Sequence, residues 1–510
     1  MKNYFKPIFI LLAIVLLAAF LRLYKVDSNP PGLYIDEVSI GYNAYTILTK
    51  GVDEYGTPFP LWFRSFGDYK MPVYVYAVSG SMLVFGKTEL AVRLPSIVAG
   101  IMTVLILYLF IRGFEKKTDK RGEYKYLAIL SSFLLSISSY HIQFSRGGFE
   151  VNVALFIFLS GCLFLQYFLK YQQKKYLAVS FCLFVLSSYT YHSFRVLAPI
   201  AIFTGLILLN TMRSLTRREI FLSGISSLIL FLPLIIFSLS PNGSQRFSQT
   251  SIFSEYPLTN EWAKLYTYPM VLLKNYVSYF SLHFLFSFGD GIGRHQVPGF
   301  GLLFRTQLPL LIAGIAALIK MGKTMLARTM LFLLLVAPIP AMLARPSPHS
   351  LRPLLIVIPL TVIMAMGLRY LFTGFGRWGR GVVLILACIF AYEFSSYLFS
   401  YYVRYPQINA LDWGAGYKEI VQKAGAHKDE YPRIVIDKKL DNALIYFKFY
   451  DESLDPILVG NDWKFPLGIS GVRTMYIRPN YGNVSEDVFD TVKLPGKYGD
   501  TFAQFWRESH

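Results

Sequence analysis

Long apolar runs recur along the chain, each close to the ~20 residues that an α-helix needs to cross a bilayer. They fall at 6–22, 91–111, 126–142, 149–169, 176–190, 195–210, 219–239, 300–319, 328–344, 353–370 and 381–402, which predicts 11 spans. Helices are the expected form because lipid offers backbone N–H and C=O groups no partner outside the chain. The first run ends on Ala18, Ala19, Phe20, Leu21 and Arg22, which make a poor cleavage site, so it reads as a retained anchor. A further run at 71–86 contains Pro72, Gly80 and two serines. If it spans, the sidedness of every later segment inverts.

Basic residues arbitrate, since Lys and Arg collect in cytoplasmic loops. Without a span at 71–86, one side holds 1–5, 112–125, 170–175, 211–218, 320–327 and 371–380. These segments carry Lys2; Arg112, Lys116, Lys117, Lys120, Arg121, Lys125; Lys170, Lys174, Lys175; Arg213, Arg217, Arg218; Lys320, Lys323; and Arg377, Arg380. That side is read as cytoplasmic and 71–86 as an interfacial or re-entrant helix. The N-terminus is then inside. The other face receives a first outer loop at 23–90, a second at 240–299, and the C-terminal segment. From 404 onward the chain turns polar, with a helix predicted at 416–424, a strand at 433–437, a helix at 441–450 and a strand at 472–478. The fold expected is an α-helical polytopic membrane protein, residues 1–403, with a small extracytoplasmic α/β domain at 404–510.

Composition agrees. Of 510 residues, 54% are hydrophobic and 16% charged, against about 25% charged in soluble domains. Forty-three Phe and 36 Tyr exclude a disordered chain. The net charge of +19 belongs to the cytoplasmic turns and to clusters at span ends, so it implies lipid rather than nucleic acid as partner. Cys162, Cys182 and Cys388 lie inside apolar runs and form no disulfide framework.

Nearly every chemically suggestive cluster falls on the non-cytoplasmic face. Asp36 and Glu37 follow the first span directly. They suit a general base or, equally, the N-terminal turn of a helix. Lys70 precedes the interfacial helix and can meet a lipid phosphate or snorkel to head groups. Arg146 offers a guanidinium fork for phosphate and Glu150 a second carboxylate; the two could instead pair across the turn. Further clusters hold His192 and Arg195, then Arg294 and His295, then His349 and Arg352. Phosphate binding fits those side chains. His141, His192, His295 and His349 have no pair at zinc-ligand spacing. Trp62, Phe63, Phe66 and Tyr69 suit sugar stacking, prenyl contact or an aromatic belt.

Taken in order, the Asp36-Glu37 pair, Tyr69-Lys-Met-Pro72, Val92-Arg-Leu-Pro-Ser96, His141-x-x-x-Ser-Arg146, Gly289-Asp-x-x-x-Arg-His295 and Pro348-His-Ser-Leu-Arg352 resemble the polytopic type C glycosyltransferases. The branch is that of the protein O-mannosyltransferases and lipid A aminoarabinose transferases. The resemblance covers about residues 1–400. It implies a sugar donor carried on a polyprenyl phosphate and transfer outside the cytoplasm. It implies Asp36 as catalytic base with Glu37 as its partner, Lys70 on the donor phosphate, and Glu150 at the second-loop acidic position. The family's Lys-Pro-Pro-Leu reads Lys70-Met-Pro-Val73 here.

The expected reaction is an inverting transfer to a hydroxyl of a lipid, glycan or protein. A phosphate leaving group needs charge stabilisation rather than a protonating acid, which accounts for one base among many cations. A divalent metal beside Asp36 or Glu37 is an open cofactor. A multi-span transporter or lipid flippase is the main alternative, although such proteins place charges near the bilayer midplane and repeat their halves. A non-catalytic envelope protein retaining the scaffold is the third reading.

Overall fold

A computed structural model describes residues 2–115, 123–255, 260–440, 442–459, 473–479, 488–493 and 501–507. Of the expected basic loop, Lys116, Lys117, Lys120 and Arg121 lie outside the described residues, as do position 441 of the second C-terminal helix and position 472 of the last expected strand.

The helices are α1 (Lys2–Leu23), α2 (Ile35–Lys50), α3 (Pro72–Phe85), α4 (Glu89–Gly113), α5 (Glu123–Ser136), α6 (Ser139–Arg146), α7 (Glu150–Tyr171), α8 (Lys174–Ser188), α9 (Phe194–Thr211), α10 (Arg217–Leu239), α11 (Pro241–Thr250), α12 (Ile252–Glu255), α13 (Glu261–Ser278), α14 (Leu308–Lys320), α15 (Met325–Val336), α16 (Ile339–Met342), α17 (Val357–Gly374), α18 (Gly376–Phe399), α19 (Tyr405–Ile408), α20 (Tyr417–Ala426) and α21 (Ala443–Tyr450). Among the described residues, seven stretches are long and apolar enough to cross a membrane: α4, α7, α9, α10, the α15–α16 pair, 354–374 and 376–408. An eighth is formed if α5 and α6, bent by 58° at 137–138, count as one. Eight of the 11 expected runs are thereby accounted for. The other three form α1, α8 and α14, with α8 at 15 residues and α14 at 13.

The short α14 has a local cause. The run at 300–319 is interrupted by Arg305, Thr306 and Gln307, and no α-helix forms ahead of them. Leu303 N–H donates to the Leu285 carbonyl at 2.7 Å, and Phe304 N–H to the Gln307 side chain at 3.1 Å. The helix begins only at Leu308. It crosses α17 very closely. A Cβ on Gly314 would stand 2.0 Å from the Ile363 carbonyl, and one on Gly367 2.0 Å from that of Leu310. Small residues let two backbones approach where lipid supplies no hydrophobic drive.

The 71–86 run forms the 14-residue α3, shorter than a span. The second loop, expected as a loop, is largely helical. Along α13, Trp262, Leu265, Tyr266, Met270, Leu273 and Val277 are all exposed on one stripe, as on a helix lying against lipid.

The chain divides into two compact units. The first comprises Met1–Tyr24, Leu61–Tyr74 and Arg93–Leu398, and holds most of the apolar helices. It also holds a hairpin, β1 (Phe63–Ser65) with β2 (Asp68–Lys70), which turns at Phe66 and Gly67, both at positive φ.

The second unit comprises Lys25–Pro60, Val75–Val92 and Phe399–His510. Much of the first loop therefore groups with the C-terminal segment. The sheet there runs β4 (Ile457–Val459), β3 (Arg433–Asp437), β5 (Thr474–Pro479), β7 (Thr501–Arg507), β6 (Val488–Lys493). β3 is parallel to β4 and β5, and β7 is antiparallel to β5 and β6. Helix α2 packs on α21, with Gly41 against Phe449. Tyr446 Oη donates to the Leu33 carbonyl at 3.0 Å, and Asn29 Nδ2 to that of Tyr401 at 2.8 Å. Gly32 has no room for a side chain, since a Cβ would meet the Trp413 carbonyl at 2.7 Å.

Candidate functional site

In the first unit the cationic residues gather around the β1–β2 hairpin, the turn before α9, the start of α11 and the 345–352 turn. Lys70 closes β2 and is buried, 8% exposed. Next to it in sequence, Met71 receives the Arg195 guanidinium on its sulfur at 2.9 Å. That guanidinium also reaches Ser238 Oγ at 3.4 Å and lies 5.8 Å from the Phe237 ring centre. Arg246 of α11 pairs with Asp68 on the hairpin. Arg352 is fixed by its own turn, donating to the Pro346 carbonyl at 2.9 Å and the Arg345 carbonyl at 2.7 Å. Arg345 in turn donates to the Gln249 carbonyl, and its N–H to that of Thr250, so the turn is tied to α11.

Burial and neighbouring charges act on the titratable groups of this site. Tyr191 is pushed up to about 12 by burial; Arg246, Arg352 and Lys70 pull it back and Glu150 raises it. His192 is held well below its ordinary range by burial, and then by Arg246, Arg195 and Lys70. Burial lowers Arg352, although Tyr191 and Tyr279 act the other way. The buried Lys70 grouped with half-buried guanidiniums and few carboxylates is a poor ion-pair network and a good anion receptor.

Beside it lies a more polar cluster. Asp290 accepts from the backbone N–H of Ser350 at 2.7 Å and of Ile292 at 3.0 Å, and its Oδ2 is 2.6 Å from His295 Nδ1. His349 Nδ1 stands 3.9 Å from the same oxygen, and the two imidazole rings are 4.9 Å apart. Burial opposes the Asp290 charge, but His295, the Ser350 N–H and His349 outweigh it and hold the carboxyl low. Burial lowers His349 strongly, with Arg352 and His295 adding to it. The ligand atoms of Asp290, His295 and His349 lie within 4.8 Å of one another, and His349 Nδ1 is buried without a hydrogen-bond partner. Two imidazoles and one carboxylate suit zinc or a similar transition metal better than Mg²⁺.

The remaining expected residues are placed as follows. Arg294 presents its carbonyl to Gln143 Nε2 at 2.7 Å. Glu150 opens α7, half-buried. Arg146 is fully buried at the end of α6 and donates to the Leu21 carbonyl of α1 at 2.9 Å. The neighbouring Arg22 is equally buried, on the carbonyls of Ala18 and Ser136 and on His141. Trp62 stacks on Phe237 at 4.2 Å and on Tyr189 at 5.8 Å. In the second unit, Asp36 and Glu37 sit in the first turn of α2. Glu37 is fully buried and accepts the Tyr34 N–H at 3.2 Å, whereas Asp36 is half-buried.

Arg246 was not singled out in the sequence. Its only signal was a basic residue at the polar start of the segment 240–299, and its partner Asp68 lies 178 residues away.

Residues 69–237 match the dolichyl-phosphate-mannose-protein mannosyltransferase family. No curated protein matches the chain. Among solved structures, the archaeal oligosaccharyltransferase AglB from Archaeoglobus fulgidus, in complex with an inhibitory peptide and a dolichol-phosphate, superposes with a TM-score of 0.52 at 14% identity. That match covers 90% of this chain and 64% of the archaeal one, so the chain spans under two thirds of that protein's length. The same oligosaccharyltransferase in complex with Zn and sulfate gives 0.51 at 15% identity, over 89% and 62%. ArnT from Cupriavidus metallidurans, bound to undecaprenyl phosphate, gives 0.51 at 10% identity, over 98% and 97%. The chain carries the fold seen in AglB and ArnT, and its stretch from Tyr69 to Phe237 matches the dolichyl-phosphate-mannose-protein mannosyltransferase family.

Proposed function

We propose that this protein is a membrane glycosyltransferase that moves a sugar from a polyprenyl-phosphate donor to a hydroxyl acceptor on the non-cytoplasmic face. The observation that carries the reading is the group formed by the buried Lys70 and the half-buried Arg195, Arg246 and Arg352 around Tyr191 and His192. The AglB and ArnT structures were solved with dolichol-phosphate and undecaprenyl phosphate, a lipid phosphate of the class such a receptor would take. The basic turns put the N-terminus inside and the C-terminal segment outside.

In the proposed reaction Asp36 removes the proton of the acceptor hydroxyl. The oxygen attacks the anomeric carbon with inversion, and the bond from that carbon to the phosphate oxygen breaks. The polyprenyl phosphate leaves with the bonding electrons. The leaving oxygen gains negative charge, and the fixed cations stabilise it in a site with little water to reorganise. Asp36 takes the base role in this reading, as the resemblance implies, and Glu37, which accepts the Tyr34 N–H, is its partner. Arg146 serves as a tie between α6 and α1 rather than a phosphate ligand, since it is fully buried on Leu21. Asp290, His295 and His349 would hold a divalent metal, which would supply further positive charge near the phosphate receptor.

Purified protein is tested with a radiolabelled polyprenyl-phosphate sugar and a panel of hydroxyl acceptors. Donor-dependent product that disappears in Asp36→Asn supports the reading. Transmembrane movement of the lipid without glycosidic product would replace it by the flippase alternative.

A further inference from the structure

A second cavity, of about 620 Å³, lies within the first unit among α4, α7, α9 and α15. It is set apart from the phosphate receptor. The receptor's Arg195 opens α9, whereas the cavity is lined by the later turns of that helix, down to Leu208, Thr211 and Met212. Thirteen residues of helix separate Arg195 from Leu208, about 20 Å. The lining positions on α7 are 158, 162, 165, 166 and 169, and on α9 201, 204, 205, 208, 211 and 212. Both sets follow helical periodicity, so each helix turns one continuous face to the cavity.

The walls are mostly apolar, with three departures. Lys323 and Arg328 stand exposed at the α15 end, and no carboxylate is among the described residues that line the cavity. Gln166 is 8% exposed, and neither its amide oxygen nor its amide nitrogen has a hydrogen-bond partner. A primary amide buried in this way in a membrane protein costs free energy unless something satisfies it. An apolar cleft between spans, closed by two cations and furnished with one unused amide, has the chemistry of a glycerophospholipid. The acyl chain takes the apolar walls, an ester carbonyl accepts from Gln166 Nε2, and the phosphate meets Lys323 and Arg328. Roughly 300–1,000 Å³ is the range of sites that enclose ligand-sized groups.

We infer that the cavity between α7, α9 and α15 binds one anionic phospholipid, held by Lys323 and Arg328 at its phosphate and by Gln166 at its ester linkage. This site does not depend on the glycosyltransferase reading, and its occupant is not the sugar donor.

The test is native mass spectrometry of the delipidated full-length protein with added phosphatidylglycerol, phosphatidylcholine or undecaprenyl phosphate. One phosphatidylglycerol is expected to bind ~30-fold more tightly than phosphatidylcholine, as two cations near a phosphate would give. In the doubly substituted Lys323→Gln, Arg328→Gln protein that preference should vanish, and Thr204→Trp should remove both lipids by filling the cleft. A second readout uses Cys162, which lines the cavity, in a protein whose Cys182 and Cys388 are replaced by Ser. Phosphatidylglycerol should slow its alkylation by N-ethylmaleimide, and the charge variants should restore the rate. Unchanged phosphatidylglycerol binding in the charge variant overturns the proposal. So does one-for-one displacement by undecaprenyl phosphate with the same protection of Cys162, which would make the cleft a polyprenyl site.

Discussion

Replacing Arg352 by Gln removes one positive charge from the phosphate receptor while leaving an amide that can still donate to the 345–346 carbonyls. The leaving phosphate begins as a diester with one negative charge and departs as a monoester approaching two. A cation ~4 Å away, in surroundings of effective dielectric ~20, interacts with a full charge by about 4 kcal/mol. If half of the new charge has developed at the transition state, the loss is about 2 kcal/mol, or ~30-fold in kcat. The ground-state charge is felt in both bound states and appears in KM. The assay is initial-rate transfer from a polyprenyl-phosphate sugar in detergent, with kcat and KM separated and the thermal midpoint measured on the same preparation. Arg352→Lys should recover part of kcat. An Arg352→Gln enzyme with kcat within about threefold of wild type and an unchanged midpoint would refute the assignment, because one oxyanion-stabilising donor removed elsewhere costs ~10²–10³.

Other outcomes follow from particular contacts. Asp36→Asn should abolish product without moving the thermal midpoint, while Glu37→Ala should cost about 1 kcal/mol of stability because it strips the Tyr34 N–H of its acceptor; thermal unfolding with activity separates the two. His192 has its folded-state pKa depressed, so its contribution to stability is complete above ~6.5 and is lost as pH falls below that value. Between pH 7.5 and 5.5 this amounts to about 1.4 kcal/mol, and His192→Asn should flatten that part of the pH–stability curve. Gly32→Ala should destabilise by about 1–3 kcal/mol, since its Cβ meets backbone rather than a movable side chain; a midpoint shift below 1 °C would contradict the close approach. Elemental analysis should find about one zinc per chain, lost in His349→Ala, if the Asp290 cluster holds the metal; retained zinc places the metal elsewhere.

The chain's own pattern of apolar runs determined that it is a helical membrane protein, and it located eight of the spans to within a few residues. That was legible because lipid imposes one rule on every residue of a run, so the signal is local and repeated. In the small C-terminal sheet, β3 and β5 were legible from alternation, whereas β4, β6 and β7 were not expected. The rule for apolar runs does not hold at 300–307, where Arg305, Thr306 and Gln307 interrupt the apolar run and Leu303 N–H donates to the Leu285 carbonyl, a backbone partner that hydropathy cannot register.

At the candidate site, Lys70, Arg195, His349 and Arg352 were legible as cations at span ends. Their convergence, and the addition of Arg246 through Asp68, came only from tertiary structure. So did the contrasting positions of two arginines that look alike in sequence, Arg146 fully buried at the end of α6 and Arg352 half-buried on the 345–352 turn. The grouping of α2 with α21, and the use of Glu37 as a helix cap, were likewise decided there. Contacts between residues hundreds of positions apart leave no period in the sequence. They are chosen by which surfaces fit once the helices have formed.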